Sequence, residues 1–245
     1  MSSSSFRFKQ FEVFHDRCAM KVGLDGVLLG AWAKSSADLS EAARLRILDV
    51  GSGSGLIALM LAQRYPSSSV FGIEKDIQAA LQAHENVARS PWPDRIQIIQ
   101  GSFPESINDN FAPEEQEFDL IVSNPPYYRN ALRAKAYTRN LARHGDKLSF
   151  EQLTISAAGL LNEKGVFSLI VPAEATEFIE ELCWGQRLYP TAICRVSHRR
   201  GKEPKRSLMA FSRFRADICR QELQIEDKKG EYTAEFKALT SEFYL

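Results

Sequence analysis

One short run of the sequence combines residue types that can act together on a weakly nucleophilic nitrogen. Asn124, Pro125, Pro126 and Tyr127 lie at the end of a predicted strand. Asn124 offers a side-chain carbonyl oxygen, and Pro125 offers a backbone carbonyl without a competing N–H of its own. Proline pairs are common where strands end, but that explanation does not account for the polar residue before them or the aromatic residue after them.

The chemistry that this tetrapeptide favours is methylation of a conjugated amino nitrogen, such as an adenine 6-amino group or a glutamine amide. Two acceptors bonded to its two hydrogens draw the nitrogen towards tetrahedral geometry, and its lone pair can then attack a methyl sulfonium. Pro126 fixes the loop, and Tyr127 offers a flat face for an extruded base or amide. No general base is required. The tetrapeptide therefore predicts an amino-nitrogen methyltransferase and leaves the substrate open.

A glycine-rich run with two acids predicts where the methyl donor binds. Asp49 ends a predicted strand just before Gly51, Gly53 and Gly55, and Glu74 ends the next strand. Glycines allow a tight turn and close approach to a ligand. Asp49 would repel a diphosphate but could receive the ammonium of a methionine moiety, directly or through water, and Glu74 could accept both ribose hydroxyls. Together they favour S-adenosylmethionine over NAD and over a turn that serves only packing.

The residues after the third predicted strand are expected to hold the adenine of that cofactor. An acid is expected there to accept a hydrogen bond from the adenine amino group, and this chain has Ser102 instead. A serine accepts that bond less strongly, so the substitution affects cofactor affinity. Phe103 is expected to pack on the adenine.

A regular alternation of strands and helices is predicted to position these residues. Such an alternation implies parallel βαβ units, and two late strands joined by nine residues must pair antiparallel. We therefore predict an α/β fold, a doubly wound and mostly parallel seven-stranded sheet with a terminal antiparallel strand, as in a Rossmann-like class I methyltransferase. Residues 1–245 are expected to form one domain, with 1–45 as an N-terminal extension on the core. The predicted strands are 46–50, 69–74, 95–100, 117–124, 165–172, 188–197 and 207–215, with a polar strand near 222–226.

The N-terminal region is expected to begin as extended chain, because Phe6, Phe8, Phe11 and Val13 alternate with polar residues. Asp25 is expected to cap a short helix that runs through residue 32. His15 and Asp16 could suggest a metal pair, but no second histidine–acid set accompanies them, and a turn is the better interpretation.

Composition narrows the class of protein. Of the 245 residues, 44% are hydrophobic and 25% are charged, as in an ordinary globular protein. No apolar run approaches the ~20 residues of a membrane helix. The four cysteines form no C-x-x-C pair, which disfavours a zinc site and a disulfide framework and predicts a reducing cytoplasm.

Charge is strongly segregated along a chain whose net charge is zero. Residues 102–119 hold six acids and no base, residues 129–147 hold six bases against one acid, and residues 195–215 hold eight bases against one. A solvated face is the usual explanation of one such run, but two basic runs favour a local surface for phosphates. The residues expected to contact RNA are Arg129, Arg133, Arg199, Arg200, Lys202, Lys205 and Arg206.

Nearly the whole chain resembles the bacterial tRNA(Val) adenosine-37 N-methyltransferases. The resemblance is carried by residues 6–32, by Ser90-Pro91-Trp92-Pro93, by residues 123–128 and by the segments 238–240 and 243–245. It implies an adenine of the tRNA anticodon loop as substrate, residues 124–127 as the catalytic loop, and the glycine run with its two acids as the cofactor site. Two residues depart from the family pattern: Leu24 stands where the family has threonine, and Ser102 where it has aspartate.

Several other functions share parts of this pattern. Glutamine-amide methyltransferases of release factors use the same tetrapeptide but carry a helical domain before the core, whereas about 45 residues precede the first core strand here. DNA adenine methyltransferases add a recognition domain, and guanine 2-amino methyltransferases often have phenylalanine in place of the tyrosine. An inactive RNA-binding module of the same fold is disfavoured by the intact Asn124 and glycine run. We predict a monomeric, metal-free tRNA (adenine-N6)-methyltransferase.

Overall fold

A computed structural model describes residues 4–34, 44–112, 115–126 and 148–244, and a single large sheet organises most of them. In chain order the strands are β1 Ser5–Arg7, β2 Glu12–Phe14, β3 Arg46–Val50, β4 Ser69–Glu74, β5 Ile96–Gln100, β6 Phe118–Ser123, β7 Leu161–Pro172, β8 Tyr189–Arg199, β9 Arg206–Ser212 and β10 Cys219–Glu226. The helices are α1 Leu24–Trp32, α2 Leu56–Arg64, α3 Ile77–Ala88, α4 Glu105–Asn110, α5 Phe150–Leu160, α6 Thr176–Gly185 and α7 Ala234–Thr240.

The strand order in the large sheet is β10-β8-β9-β7-β6-β3-β4-β5. All its pairings are parallel except those of β9 with β7 and β8, so the predicted α/β class and the late antiparallel pair are confirmed. Within the described ranges this sheet has eight strands rather than the predicted seven. The additional strand is the polar segment near the C-terminus, which pairs with β8 and buries Leu223 and Ile225.

The sheet is covered on both faces because neighbouring strand residues point to opposite sides. Ile47 of β3 packs in one cluster with helices α1, α2, α3 and α7, whereas the next residue, Leu48, packs in a second cluster with α4, α5 and α6. Strands buried on both faces are continuous apolar runs, which is why β3 and β6 could be recognised in the sequence.

The N-terminal residues share the first of these two clusters. Strands β1 and β2 form a hairpin, and Phe8, Phe11 and Val13 are buried with the side chains of α2. The prediction that Asp25 caps α1 was wrong, because the helix begins at Leu24 and its N-cap is Gly23, without a side-chain hydrogen bond. Whether residues 1–45 count as an extension of a single domain stays a prediction.

The hairpin also contacts the other end of the chain. The N–H of Lys9 donates to the carbonyl of Phe243 at 2.8 Å, and Lys9 Nζ donates to the carbonyl of Ser241 at 2.6 Å. The ring of Phe8 stacks on that of Tyr244, with centroids 6.1 Å apart. These contacts fix the hairpin against the segment that follows α7.

All four cysteines lie within the described ranges. Cys18, Cys183, Cys194 and Cys219 are all free thiols. No group of three or more potential metal ligands occurs in this part of the chain, and none of its helices is long and apolar enough to span a membrane.

Candidate active site

A cavity of roughly 630 Å³ opens where the carboxyl ends of the parallel strands meet. It lies beside the junction of β3 and β6, where the chain reverses the direction in which it adds strands to the sheet, the usual ligand position in such folds. The hydroxyl of Ser123 donates to the carbonyl of Val50 at 2.9 Å and ties the two strand ends together. The predicted site residues that line the cavity are Gly51, Gly53, Glu74, Ser102, Phe103, Asn124, Pro125 and Pro126.

Residues 51–55 form a loop, which we call the glycine loop, and its backbone conformation explains why glycines are needed there. Gly51, Gly53 and Gly55 have φ of 75°, 55° and 80°, the left-handed region that disfavours other residues. A Cβ on Gly51 or Gly53 would meet no protein atom within 4 Å, so the loop backbone faces open cavity there. The N–H groups of Gly51 and Ser52 both donate to the carbonyl of Ile73, at 2.9 and 3.0 Å, which fixes the loop beside β4.

The carboxylate of Glu74 is held at the cavity by two backbone N–H groups. Gly53 donates to Oε2 and Asp76 donates to Oε1, each at 2.8 Å. A carboxylate oxygen can accept more than one hydrogen bond, so both oxygens keep acceptor capacity for a ligand. Glu74 therefore has the position and the chemistry predicted for binding a diol.

Asp49 lies behind the loop of residues 51–55 and not on the cavity surface. It is 0% exposed and does not line the cavity; its Oδ2 accepts the N–H of Ala58 in α2 at 3.2 Å. Burial raises the pKa of Asp49 to about 7, and the nearby charge of Glu74 adds to the increase. Its Oδ1 has no partner among the described residues. The carboxylate therefore lies behind the loop, and its contact with a ligand ammonium, directly or through water, stays a prediction.

The predicted catalytic tetrapeptide, residues 124–127, is described only in part. Asn124 is half-buried, Pro125 is buried and Pro126 is exposed, and all three line the same cavity as the glycine loop. Tyr127, Arg129 and Arg133 lie outside the described residues, so the predictions made for them stay predictions.

At the adenine end of the predicted site, Ser102 and Phe103 line the cavity together with Gly101. Phe103 is buried and belongs to the core cluster on the α4 side of the sheet. The carbonyl of Ser102 accepts the N–H of Ser106, a residue of α4, at 2.9 Å. This bond fixes the backbone that carries the Ser102 hydroxyl.

The part of the second basic run that joins β8 to β9 lies on the same edge of the sheet as the cavity, because β8 ends and β9 begins there. Two of its predicted RNA contacts are engaged in ion pairs: Arg199 with Glu226 at 2.8 Å, and Arg206 with Asp25 at 2.7 Å. The other three predicted contacts are exposed side chains of the connecting loop: Arg200, Lys202 and Lys205.

The cavity has a wall that motif reasoning missed. Cys18, Ala19 and Met20 line it, and they belong to residues 15–22, a segment that we call the strap. His15 begins the strap with a turn, as expected, and its Nδ1 accepts the N–H of Val22 at 3.2 Å. The strap contains no chemical motif, and the only signal for it was its likeness to the family pattern. Cavity-lining residues that were likewise not predicted are Val50, Ile73, Lys75, Asp76, Ala79, Gly101, Glu105, Ser123, Leu148 and Gln152.

Known proteins resemble this chain in sequence and in fold. The family model described as "Methyltransferase small domain" matches residues 36–171. A protein of Bacteroides fragilis named tRNA1(Val) (adenine(37)-N6)-methyltransferase is 44% identical, with 100% of this chain and 99% of that protein covered. Proteins of the same name from Actinobacillus succinogenes and Flavobacterium psychrophilum are each 42% identical, covering 100% and 98% of this chain and 98% and 99% of their own lengths.

Solved structures agree on the fold. The crystal structure of a predicted O-methyltransferase from Agrobacterium tumefaciens has a TM-score of 0.67 and 21% identity, covering 89% of this chain and 96% of that one. A methyltransferase subunit of a type I restriction-modification system from Streptococcus thermophilus has a TM-score of 0.60 and 15% identity, covering 93% of this chain and 54% of that one. Similarity at this level of identity identifies a methyltransferase fold and does not identify the substrate.

Proposed function

The chain belongs to the tRNA1(Val) (adenine(37)-N6)-methyltransferase family, and from this premise we propose how its cavity transfers a methyl group to the 6-amino nitrogen of a tRNA adenine. The observation that carries the proposal is the shared cavity: Asn124 and Pro125 line it together with the glycine loop and Glu74. An acceptor pair for an amino group therefore lies next to a site with the features of a nucleoside-binding pocket.

The residues of the cavity fit S-adenosylmethionine, which supplies a methyl group on an electrophilic sulfonium. Open space faces the left-handed glycines, where a ligand can lie directly against the backbone. Glu74, already oriented by two N–H groups, would accept the ribose hydroxyls. Ser102 and Phe103 would contact the adenine. In this proposal Asp49 supports the loop from behind by bonding to α2.

The chemical role of the catalytic loop follows from its two acceptors. The Asn124 side-chain oxygen and the Pro125 carbonyl would each accept one hydrogen of the 6-amino group. This reduces conjugation of the nitrogen with the ring and makes its lone pair available. Acceptors that are already in place act without reorganisation, and they contribute most as the nitrogen changes geometry. As the nitrogen bonds to the methyl carbon, the bond between that carbon and the sulfonium sulfur would break and leave a neutral thioether. The methylated nitrogen would then carry a positive charge, be strongly acidic and release its proton to water, so no tuned base is needed.

The substrate tRNA would approach over the carboxyl edge of the sheet. The loop between β8 and β9 carries Arg200, Lys202 and Lys205 on that edge. Exposed basic side chains of this kind can neutralise phosphates of the RNA backbone. Arg199 and Arg206 would instead hold the loop through their ion pairs. We propose tRNA as the macromolecular partner, and a reducing cytoplasm, where the four free thiols persist, as the compartment.

The test is methylation of unmodified tRNA(Val) by the purified protein with S-adenosylmethionine. Nuclease digestion and mass spectrometry are expected to detect N6-methyladenosine, and a transcript with the target adenosine replaced by another base is expected to give none. Cofactor binding without methylation of tRNA, or methylation of a release-factor glutamine in its place, would refute the proposal.

A further inference from the structure

Helix α3 buries two carboxamide side chains that motif reasoning did not use and that do not line the cavity. Gln82 and Asn86 are one helical turn apart and are 1% and 0% exposed. Residues four apart lie on the same side of a helix, and here that side faces the N-terminal segment. Burial of an amide is costly unless its polar atoms are bonded, so their partners indicate what the two side chains hold.

Gln82 holds the strap at Asp16, Arg17 and Cys18, the last of which lines the cavity. Its Oε1 accepts the N–H of Arg17 at 2.8 Å and the thiol of Cys18 at 3.5 Å, and its Nε2 donates to Asp16 Oδ1 at 2.7 Å. Burial raises the pKa of Cys18 to about 11, so its thiol keeps the proton that it donates. An ion pair between Arg17 and Glu85, also on α3, reinforces the attachment.

Asn86 joins Phe14, the residue just before the strap, to Ser54 of the glycine loop. Its Oδ1 accepts the N–H of Phe14 at 2.9 Å, and its Nδ2 donates to the carbonyls of Phe14 at 2.8 Å and of Ser54 at 2.9 Å. One side chain thus bridges two chain segments that are 40 residues apart in sequence, as the positions of Phe14 and Ser54 show. Beyond these contact points, the same two segments form walls of the cavity.

We propose that Asn86 and Gln82 are positioning residues of the cofactor site, which set the distance between the strap and the glycine loop and keep the cavity assembled for its ligand. This inference rests on the proposed function, because it assigns S-adenosylmethionine to the cavity. Apparent affinity falls in proportion to the fraction of molecules whose site is assembled. Loss of either amide therefore acts on cofactor binding and not on the transfer step, since the bound cofactor reassembles the walls.

The experiment compares Asn86→Ala and Gln82→Leu with the wild-type protein and with a control, Ile179→Ala. Ile179 is fully buried on α6, on the opposite face of the sheet, so this control lowers the unfolding temperature without touching strap or loop. Calorimetry well below the unfolding temperature gives the Kd for S-adenosylmethionine, and steady-state kinetics give kcat and both KM values.

In Asn86→Ala the Kd and KM for the cofactor are expected to rise roughly tenfold, with kcat at saturating cofactor within about twofold of wild type. Gln82→Leu is expected to show a smaller increase, because the bonds of Gln82 reach only the strap. Hydrogen exchange at the N–H of Arg17 is expected to accelerate in Gln82→Leu. Ile179→Ala is expected to keep the wild-type cofactor affinity.

Two results would overturn the inference while the proposed function stands: cofactor affinity unchanged in both variants, or an equal loss in the Ile179→Ala control. A fall in kcat with constant cofactor KM would also overturn it. If Asn86→Ala does not fold, Gln82→Leu decides alone. A wild-type protein that does not bind S-adenosylmethionine would overturn both proposals.

Discussion

The two halves of the cavity are built by different means. The half formed by β3, β4 and the glycine loop is fixed by backbone: left-handed glycines, N–H groups bonded to Ile73, and a carboxylate held by two further N–H groups. The half near β6 depends on side chains, with Asn124 at a strand end. The exposed basic side chains of the loop between β8 and β9 lie on the same edge of the sheet but do not line the cavity. We infer that the first half is preformed for a small molecule and that the second depends on side chains able to adapt to a large one. Changes in the two halves should therefore have separable effects.

The largest difference between the effect on turnover and the effect on cofactor binding is expected from Asn124→Ala, in the half of the cavity near β6. Turnover should fall by roughly 10²–10³, the usual cost of removing one preorganised polar group that acts mainly in the transition state. Cofactor Kd should stay near the wild-type value, because the missing bond is to the amino group. Single-turnover methylation of tRNA(Val), with cofactor binding measured alongside, checks both. Methylation at the parent rate would remove Asn124 from the catalytic loop.

Glu74→Gln should produce the reverse pattern in the cofactor half. The amide keeps the shape but turns an N–H group towards a backbone N–H and loses a charged acceptor. Cofactor affinity should fall about 10–100-fold, the range for hydrogen bonds to a charged group. Glu163→Gln, which changes an exposed carboxylate of β7, is the matched control. Calorimetric titration checks the change, and equal Kd values for both variants would place Glu74 outside the site.

A smaller effect is expected from the basic loop, where Arg200→Ala combined with Lys202→Ala should weaken tRNA binding. The slope of log K against log[salt] should become shallower by roughly 1 for each phosphate that the protein no longer neutralises. Arg220→Ala removes an exposed base near the other end of the sheet and should leave the slope unchanged. Filter binding at several salt concentrations gives the slopes. A double variant with the wild-type slope would show that these basic side chains are solvated and do not contact phosphates.

The smallest effect on methylation is expected from Asp49→Asn, which changes stability instead. The folded pKa of Asp49 is about 7 against its ordinary 3.8, so the folded state binds a proton more tightly than the unfolded chain. The stabilisation from the neutral form is therefore complete below pH 3.8 and is lost as pH rises to about 7.

The wild type should consequently lose roughly 2–4 kcal/mol of unfolding free energy relative to Asp49→Asn between acid and neutral pH. Urea unfolding of both proteins at pH 5 and pH 8 measures this difference. If the difference in unfolding free energy between the two proteins does not change with pH, Asp49 has the same pKa in the folded and the unfolded chain.

The same contrast explains how much of the site could be predicted from sequence. Gly51, Gly53 and Glu74 were predictable because left-handed turns require glycine and because parallel strands end at one edge of the sheet. The burial of Asp49 and the pairing of Arg206 with Asp25 were not, since these depend on neighbours that only the tertiary fold supplies; Arg206 and Asp25 are 181 positions apart. The strap was missed for the same reason: it is attached through Gln82, 64 positions from Cys18.

The bonds between Lys9 and the residues after α7 have a consequence for biosynthesis. A ribosome makes the hairpin first, but the carbonyls that it bonds belong to Ser241 and Phe243 and emerge more than 200 residues later. Interactions so distant in sequence form late, since closing a long loop costs entropy before any interaction compensates for it. A nascent chain that has reached only α6 can form β3 to β7, the glycine loop and the bonds from α3 to the strap, whereas the hairpin still lacks its bonds to Ser241 and Phe243. The last attachment of the hairpin to the core should therefore form only after residues 241–243 have emerged from the ribosome.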